Sequence, residues 1–198
     1  MSFLIDWFYN IWSYFGFMNR NSNLTIVGLG NAGKTTLVNY IVNDLIRVYM
    51  PTQKPNKNTF KSGNTTFNAF DLGGQKILRR LWRDYILDPN TIIVFVIDTA
   101  DMESFTEAKA ELQHILTSSE VSQNPIVIVG TKTDIPNHLN RQQLIQALDL
   151  QPYMLGINTD INSRPLEVLT LSVVKREGVK ELLLWLTQCS DYCYKRKL

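Results

Sequence analysis

The chain has 198 residues, a net charge of +2, and 44% apolar against 19% charged residues. This is the composition of one globular domain with a short appendage, long enough to bury a core without staples. It excludes a nucleic-acid binder, because the only basic run is the tail "YKRKL", and a membrane span, because no stretch reaches the ~20 apolar residues that cross a bilayer.

The first segment, "FLIDWFYNIWSYFGF", is the greasiest in the chain and carries one charge, Asp6. It has no basic n-region, and no small-residue cleavage site follows it, so a secretory leader is not expected. Drawn as a helix, Asp6, Asn10 and Ser13 form one narrow polar stripe, while Phe3, Leu4, Ile5, Trp7, Phe8, Ile11, Trp12 and Phe15 cover the rest. That breadth exceeds a core-facing stripe. Residues 1–19 are expected to form an amphipathic segment lying in a membrane surface, with a permanently docked helix as the alternative. Ser2 rules out N-myristoylation. No lipid is required, since burying each large apolar side chain is worth about 1.5–3 kcal/mol.

The polar stretch "MNRNSN" (18–23) reads as a linker, and the folded domain is expected over 20–198. "LTIVG" is a buried strand, followed by "GLGNAGKT" (28–35) at the head of the helical pattern "GKTTLVNYIVNDLI". The spacing is G-x-x-x-x-G-K-[ST], in the strand-to-helix setting that a phosphate loop requires. Glycines let backbone N–H groups turn toward phosphates, and the helix N-terminus adds partial positive charge. Lys34 suits the space between β- and γ-phosphates, and the Thr35 hydroxyl suits Mg²⁺.

"NTFKSGNTTFNAFD" reads as a hairpin turning at Ser62-Gly63-Asn64. At its end stands "DLGGQ" (71–75). Asp71 is placed to hold Mg²⁺ through water, Gly74 to offer an N–H to a γ-phosphate, and Gln75 to orient an attacking water, since its amide both donates and accepts. "TIIVFVID" and "PIVIVG" are continuous apolar runs of strand length, with the helix "SFTEAKAELQHIL" between them. "TKTD" (131–134) follows. A carboxylate at Asp134 accepts from the two N–H donors on guanine's edge and repels the N1 acceptor of adenine, while Lys132 can lay its stem along the base. "LEVLTLSVV" is the last strand, with "SVV" (Ser172, Val173 and Val174) placed to supply contacts to the guanine oxygen, and "VKELLLWLTQCSDYCY" is the last helix. Alternating strands and helices predict an α/β fold with an open, mostly parallel sheet and helices on both faces. Cys189 and Cys193 have no further Cys or His nearby for a zinc site and are expected to be reduced thiols.

"GLGNAGKTTL", "YMPTQKP", "DLGGQKILRRLWRDY" and "TKTD" resemble the Arf/Sar family of small GTPases. "MSFLIDWFY", "RPLEVLTLSVVKREG" and "WLTQ" resemble its Sar-type branch, which initiates the COPII coat. The resemblance implies a Ras-like P-loop fold with a six-stranded sheet, binding of GTP and GDP with Mg²⁺, and slow GTP hydrolysis. It implies that Asn31, Ala32, Gly33, Lys34, Thr35 and Thr36 hold phosphates, and that Thr52 joins Thr35 and Asp71 at the metal. Thr131, Lys132 and Asp134, with Val173 and Val174, read the base, and Gln75, Lys34 and Gly74 serve catalysis. The implied partners are a membrane surface reached through the N-terminal helix, a guanine-nucleotide exchange factor, and the COPII inner coat with its GTPase-activating subunit. The implied location is the cytoplasmic side of the endoplasmic reticulum membrane, in transport toward the Golgi.

Four positions depart from the pattern. Gly30 stands where the family has Asp, Thr131 where it has Asn, Pro55-Asn56 where the Sar branch has a second Pro-Thr, and Gln75 where the Sar branch has His. No arginine within these motifs is placed to stabilise a transition state, so a partner's arginine is expected. The alternatives are an Arf-like GTPase of another trafficking step, a nucleotide-bound scaffold that does not cycle, and an ATP-using P-loop enzyme, which Asp134 disfavours.

Overall fold

A computed structural model describes residues 20–154 and 164–196. The expected membrane segment 1–19 lies outside the described residues. Among them, no helix is long and apolar enough to cross a membrane.

The strands are β1 (Arg20–Val27), β2 (Asn56–Ser62), β3 (Thr65–Asp71), β4 (Thr91–Asp98), β5 (Ile126–Thr131) and β6 (Leu166–Thr170). They form one sheet in the order β2-β3-β1-β4-β5-β6, and the only antiparallel pair is β2 with β3. The helices are α1 (Lys34–Asn43), α2 (Trp82–Ile86), α3 (Met102–Thr117), α4 (Arg141–Ala147) and α5 (Val179–Lys195). The expected α/β architecture is therefore present.

The period-2 pleat of the central strands sorts the core. Ile92, Val94 and Val96 of β4 face a layer built by Leu37 and Val38 of α1 and Leu182, Trp185, Leu186 and Cys189 of α5. Ile93, Phe95 and Ile97 face the opposite layer, with Phe105, Ala108, Leu112 and Ile115 of α3 and Leu144 of α4. Both faces of β4 and β5 are covered, which is why these strands read as unbroken apolar runs. Cys189 and Cys193 are buried in the first layer.

The β2–β3 hairpin turns at Gly63 and Asn64, with Ser62 opposite Thr65. Gly63 has φ 57°, which a glycine adopts without strain. Phe60 and Phe67 stack across the pair with ring centroids 5.1 Å apart.

Three expected boundaries change. The stretch 20–23, expected as linker, is the first half of β1, paired with Thr65–Asn68 of β3. Its polar side chains are satisfied far along the chain. The Ser22 and Ser190 hydroxyls are 2.6 Å apart, and Arg20 forms an ion pair with Asp191 on α5. The helix expected through residue 46 ends at Asn43, because Asp44 turns left-handed (φ 53°) and its N–H returns to Tyr40 O. The last strand ends at Thr170, because Ser172 leaves the sheet and pairs with Glu177.

Candidate functional site

The C-terminal ends of the parallel strands meet at one edge of the sheet, where the loops form a groove. A cavity of about 470 Å³ runs along it, lined by Asn31, Gly33–Thr36, Arg47–Thr52, Gly74, Gln75 and Lys132, among others.

The loop between β1 and α1 forms its floor. Gly28 has φ 136°, and a Cβ there would lie 2.1 Å from Val96 O, so only glycine fits. Gly33 (φ 84°) precedes the first turn of α1, whose N-terminus points into the groove. Gly30 has no steric reason to be glycine, since a Cβ there would meet nothing within 4 Å. Lys34 is buried, and its Nζ donates to Gly28 O (2.9 Å) and Leu29 O (2.6 Å). Burial lowers the Lys34 pKa to about 8, against the opposing pull of Asp71.

Three oxygen-bearing side chains converge beside Lys34. Thr35 Oγ1 donates to Asp71 Oδ2 at 2.6 Å, and the Thr52 hydroxyl lies 2.9 Å from that of Thr35 and 3.4 Å from Asp71 Oδ2. Asp71 Oδ1 is buried with no hydrogen-bond partner. Burial raises the Asp71 pKa, while the Thr35 hydrogen bond and the Lys34 charge oppose that shift. An unpartnered carboxylate oxygen among hydroxyls suits a hard divalent cation, so these residues fit Mg²⁺. Among the described residues no cluster of three or more His, Cys, Asp or Glu could hold a metal.

Two glycines pack the loop after β3 against the loop before β2 and against this floor. A Cβ on Gly73 would lie 2.6 Å from Thr52 O, and one on Gly74 would lie 2.4 Å from Gly28 O and 2.5 Å from Gly30 N. Arg79 Nε donates to Gly74 O and Trp82 Nε1 to Gly73 O, both at 3.0 Å, which fixes the turn. Gln75 is exposed on the rim.

The far end is built from side chains. Thr131 is buried, and its hydroxyl lies 2.9 Å from Ala32 O and 3.1 Å from Ile97 O, tying the base-side loop to the phosphate loop. Lys132 is left-handed (φ 62°), and its ammonium pairs with Asp98 at 2.6 Å. Ser172 Oγ donates to Asp134 Oδ1 at 2.5 Å and accepts from Lys175 N at 3.0 Å. Val173 is buried against the core and Val174 is exposed.

The groove thus brings together most of the residues expected from sequence. Six are not in the cavity lining: Asp71 stands behind it, bonded to Thr35, and Thr131 is tied to Ala32 of the phosphate loop, while Asp134, Val173 and Val174 lie on the loops after β5 and β6. Two residues escaped the sequence reading. Asp98 carried a usable signal, an acid closing an otherwise apolar strand core. Arg47 lines the cavity two residues before the quoted "YMPTQKP". Ser172 was expected to contact the guanine oxygen, but its hydroxyl bonds Asp134 instead, across 38 residues of chain.

The sequence pattern of the ADP-ribosylation factor family matches residues 8–190. The chain is 43% identical to the small COPII coat GTPase SAR1B of Dictyostelium discoideum, with 96% of this chain and 97% of that protein covered. It is 33% identical to the small COPII coat GTPase SAR1 of Giardia intestinalis, covering 92% and 97%. Among solved structures, it is similar to the Arl6 (BBS3) small GTPase of Trypanosoma brucei bound to the nucleotide analogue GppNp. The TM-score is 0.73 at 26% identity, over 86% of this chain and 98% of that one.

Proposed function

The chain belongs to the ADP-ribosylation factor family of small GTPases, which bind GTP and GDP and hydrolyse GTP, and on that premise we propose that it is a Sar-type switch. In this reading it inserts residues 1–19 into the endoplasmic reticulum membrane when GTP is bound, and so initiates a COPII coat. Residues 20–198 form the GTPase domain. An exchange factor loads GTP, and the inner coat with its activating subunit ends the cycle.

The observation that carries the reading is the meeting of Thr35, Thr52 and Asp71 beside Lys34, with Gly73 and Gly74 packed against Thr52 and the phosphate loop. Thr52 and Gly74 lie on opposite sides of the β2–β3 hairpin. A γ-phosphate that both contact gives GTP and GDP different preferences for the hairpin's position, as any ligand-driven switch requires. The groove's own residues divide the chemistry. Asn31–Thr36 cradle the phosphates through backbone N–H groups, Lys34 places its charge between the β- and γ-phosphates, and Gln75 orients the attacking water. Thr35, Thr52 and, through water, Asp71 would hold Mg²⁺, which supplies neutralising charge to the phosphate oxygens. Asp134, oriented by Ser172, accepts from guanine, and Lys132, held by Asp98, covers the ring face.

A small apolar recess lies between Phe60 of β2, Leu37 and Ile41 of α1, and Leu182 and Leu186 of α5. Liposome flotation tests the reading. Full-length protein should float with a non-hydrolysable GTP analogue and remain in solution with GDP. A form lacking residues 2–17 should bind nucleotide and never float. Equal flotation in both states makes the segment a constitutive anchor; flotation in neither removes the coat-initiating reading. The similarity to Arl6, and Gln75 in the catalytic position, favour an Arf-like role in another trafficking step as the second reading. Failure of the GTP-loaded protein to recruit the COPII inner coat onto the liposomes selects it.

A further inference from the structure

Phosphoryl transfer to water spreads negative charge over the γ-phosphoryl and the β–γ bridging oxygen, and a cation aimed there accelerates it. The cations lining the cavity are Lys34, Lys132 and Arg47. Lys34 is held by two phosphate-loop carbonyls and Lys132 by Asp98. Arg47 makes no hydrogen bond or ion pair within the described residues. Most other arginines are committed: Arg79 to Glu107 and Glu111, Arg83 to Glu120, Arg141 to Glu167, and Arg176 to Asp44. Arg80 is uncommitted too, but it stands away from the groove, in the recess between α2 and α3.

Arg47 is exposed, but it stands on the wall of the groove. Arg47 to Thr52 line the cavity as a continuous stretch, so the loop lies along the groove and is anchored at one end by the Thr52 hydroxyl on Thr35. A guanidinium keeps its charge in any accessible pH range and presents a planar fork of donors that matches phosphate oxygens. Nothing within the described residues competes for it.

We propose that Arg47 is the chain's own transition-state cation, contacting the β–γ bridging and γ-phosphate oxygens of GTP during hydrolysis. The proposal rests on the GTP-switch reading of the groove. In the step it serves, water oxygen bonds to the γ-phosphorus and the bond to the β–γ bridging oxygen breaks. The electron pair leaves on GDP, and the water proton ends on the released phosphate. Arg47 stabilises the charge gathering on the bridging oxygen.

The test uses full-length protein with GDP, Mg²⁺ and aluminium fluoride, a mimic of the transferring phosphoryl group, read by intrinsic tryptophan fluorescence with no partner present. Transition-state mimics report stabilising groups directly. Wild-type protein and Arg80→Ala should form the GDP–aluminium fluoride complex, and Arg47→Ala should not. In partner-free single-turnover hydrolysis, Arg47→Ala should be about 20–30-fold slower, the scale that separates GTPases with and without an arginine in cis. Its GDP affinity should fall far less than its rate, by about threefold, because GDP keeps the former bridging oxygen but has none of the γ-phosphoryl oxygens. Arg47→Lys should recover only part of the rate, since it restores charge without the fork. A wild type that needs a partner to take up aluminium fluoride, or an Arg47→Ala variant with the wild-type rate, overturns the proposal. Either result leaves the GTP-switch reading intact if GTP is still preferred to ATP; loss of that preference in wild type overturns the switch reading instead.

Discussion

The two ends of the groove are built by opposite means. At the phosphate end, Lys34 and Asp71 are buried charges whose ionised forms burial disfavours, and Asp71 Oδ1 has no hydrogen-bond partner. At the base end the polar groups satisfy one another: Lys132 with Asp98, Asp134 with Ser172, and Thr131 with the carbonyls of Ala32 and Ile97. Buried groups held at an electrostatic cost gain most when a ligand of opposite charge arrives. Groups already oriented by neighbours gain little affinity but discriminate sharply, because a wrong ligand leaves them unmatched. The phosphate end is therefore the source of affinity, and the base end the source of selectivity.

The largest effect expected is from Lys34→Ala. GTP and GDP affinity should fall by about 10³-fold, the scale for removing one partner of a buried charge contact. Thermal unfolding without nucleotide should show no loss of stability, since the variant also removes a buried ammonium. Isothermal titration and a melting scan read the two outcomes, and destabilisation parallel to the affinity loss would break the comparison.

The pH dependence follows the same group. The folded-state pKa of Lys34 is about 8, below its ordinary value of 10.5. Bound phosphates favour the charged form, so binding above pH 8 must take up a proton. Affinity for GTP should be level from pH 6 to 7.5 and fall about tenfold between pH 8 and 9.5. For folding without nucleotide the sign reverses. The unfolded chain binds the proton more tightly between pH 8 and 10.5, so Lys34's contribution to stability rises across that window, by up to about 3 kcal/mol. Comparing wild type with Lys34→Ala across pH isolates this term.

Ser172→Ala sharpens the base end. Removing one hydrogen bond to a carboxylate costs about 1 kcal/mol or more. The ratio of GTP to ATP affinity should drop about fivefold, with inorganic triphosphate binding unchanged. A matching loss of triphosphate binding would mean that the two ends are not separable.

The phosphate end was legible in sequence because its demands are local. A strand, a glycine-rich turn, a lysine and a helix start lie within Gly28–Thr35, and backbone geometry does the rest. The central strands were legible for a similar reason, since β4 and β5 are covered on both faces and carry no polar interruption. Residues 20–23 were misread because their polar side chains look like a linker until Ser190 and Asp191, on the last helix, come to meet them. The base end was legible only by residue type. Asp134 announced its preference, but the serine and threonine that fix its loop act across 38 and 99 residues of chain. Thr131 shows the limit most clearly. In sequence it is the loss of an amide; in the structure its hydroxyl still joins the base loop to Ala32 O. Arg47 had no pattern at all, since its only distinguishing features are a place on the cavity wall and the lack of a carboxylate beside it.

We propose that guanine selectivity is lodged in Asp134. The direct measurement is competition of GTP and ATP for protein loaded with fluorescent GDP, in wild type and in Asp134→Asn. The wild type should release the probe to GTP at concentrations at least about 10³-fold lower than to ATP, and Asn at position 134 should shrink that ratio by about 10²-fold or more. Equal displacement by the two nucleotides in wild type, or an Asp134→Asn variant that discriminates as well as wild type, would contradict it.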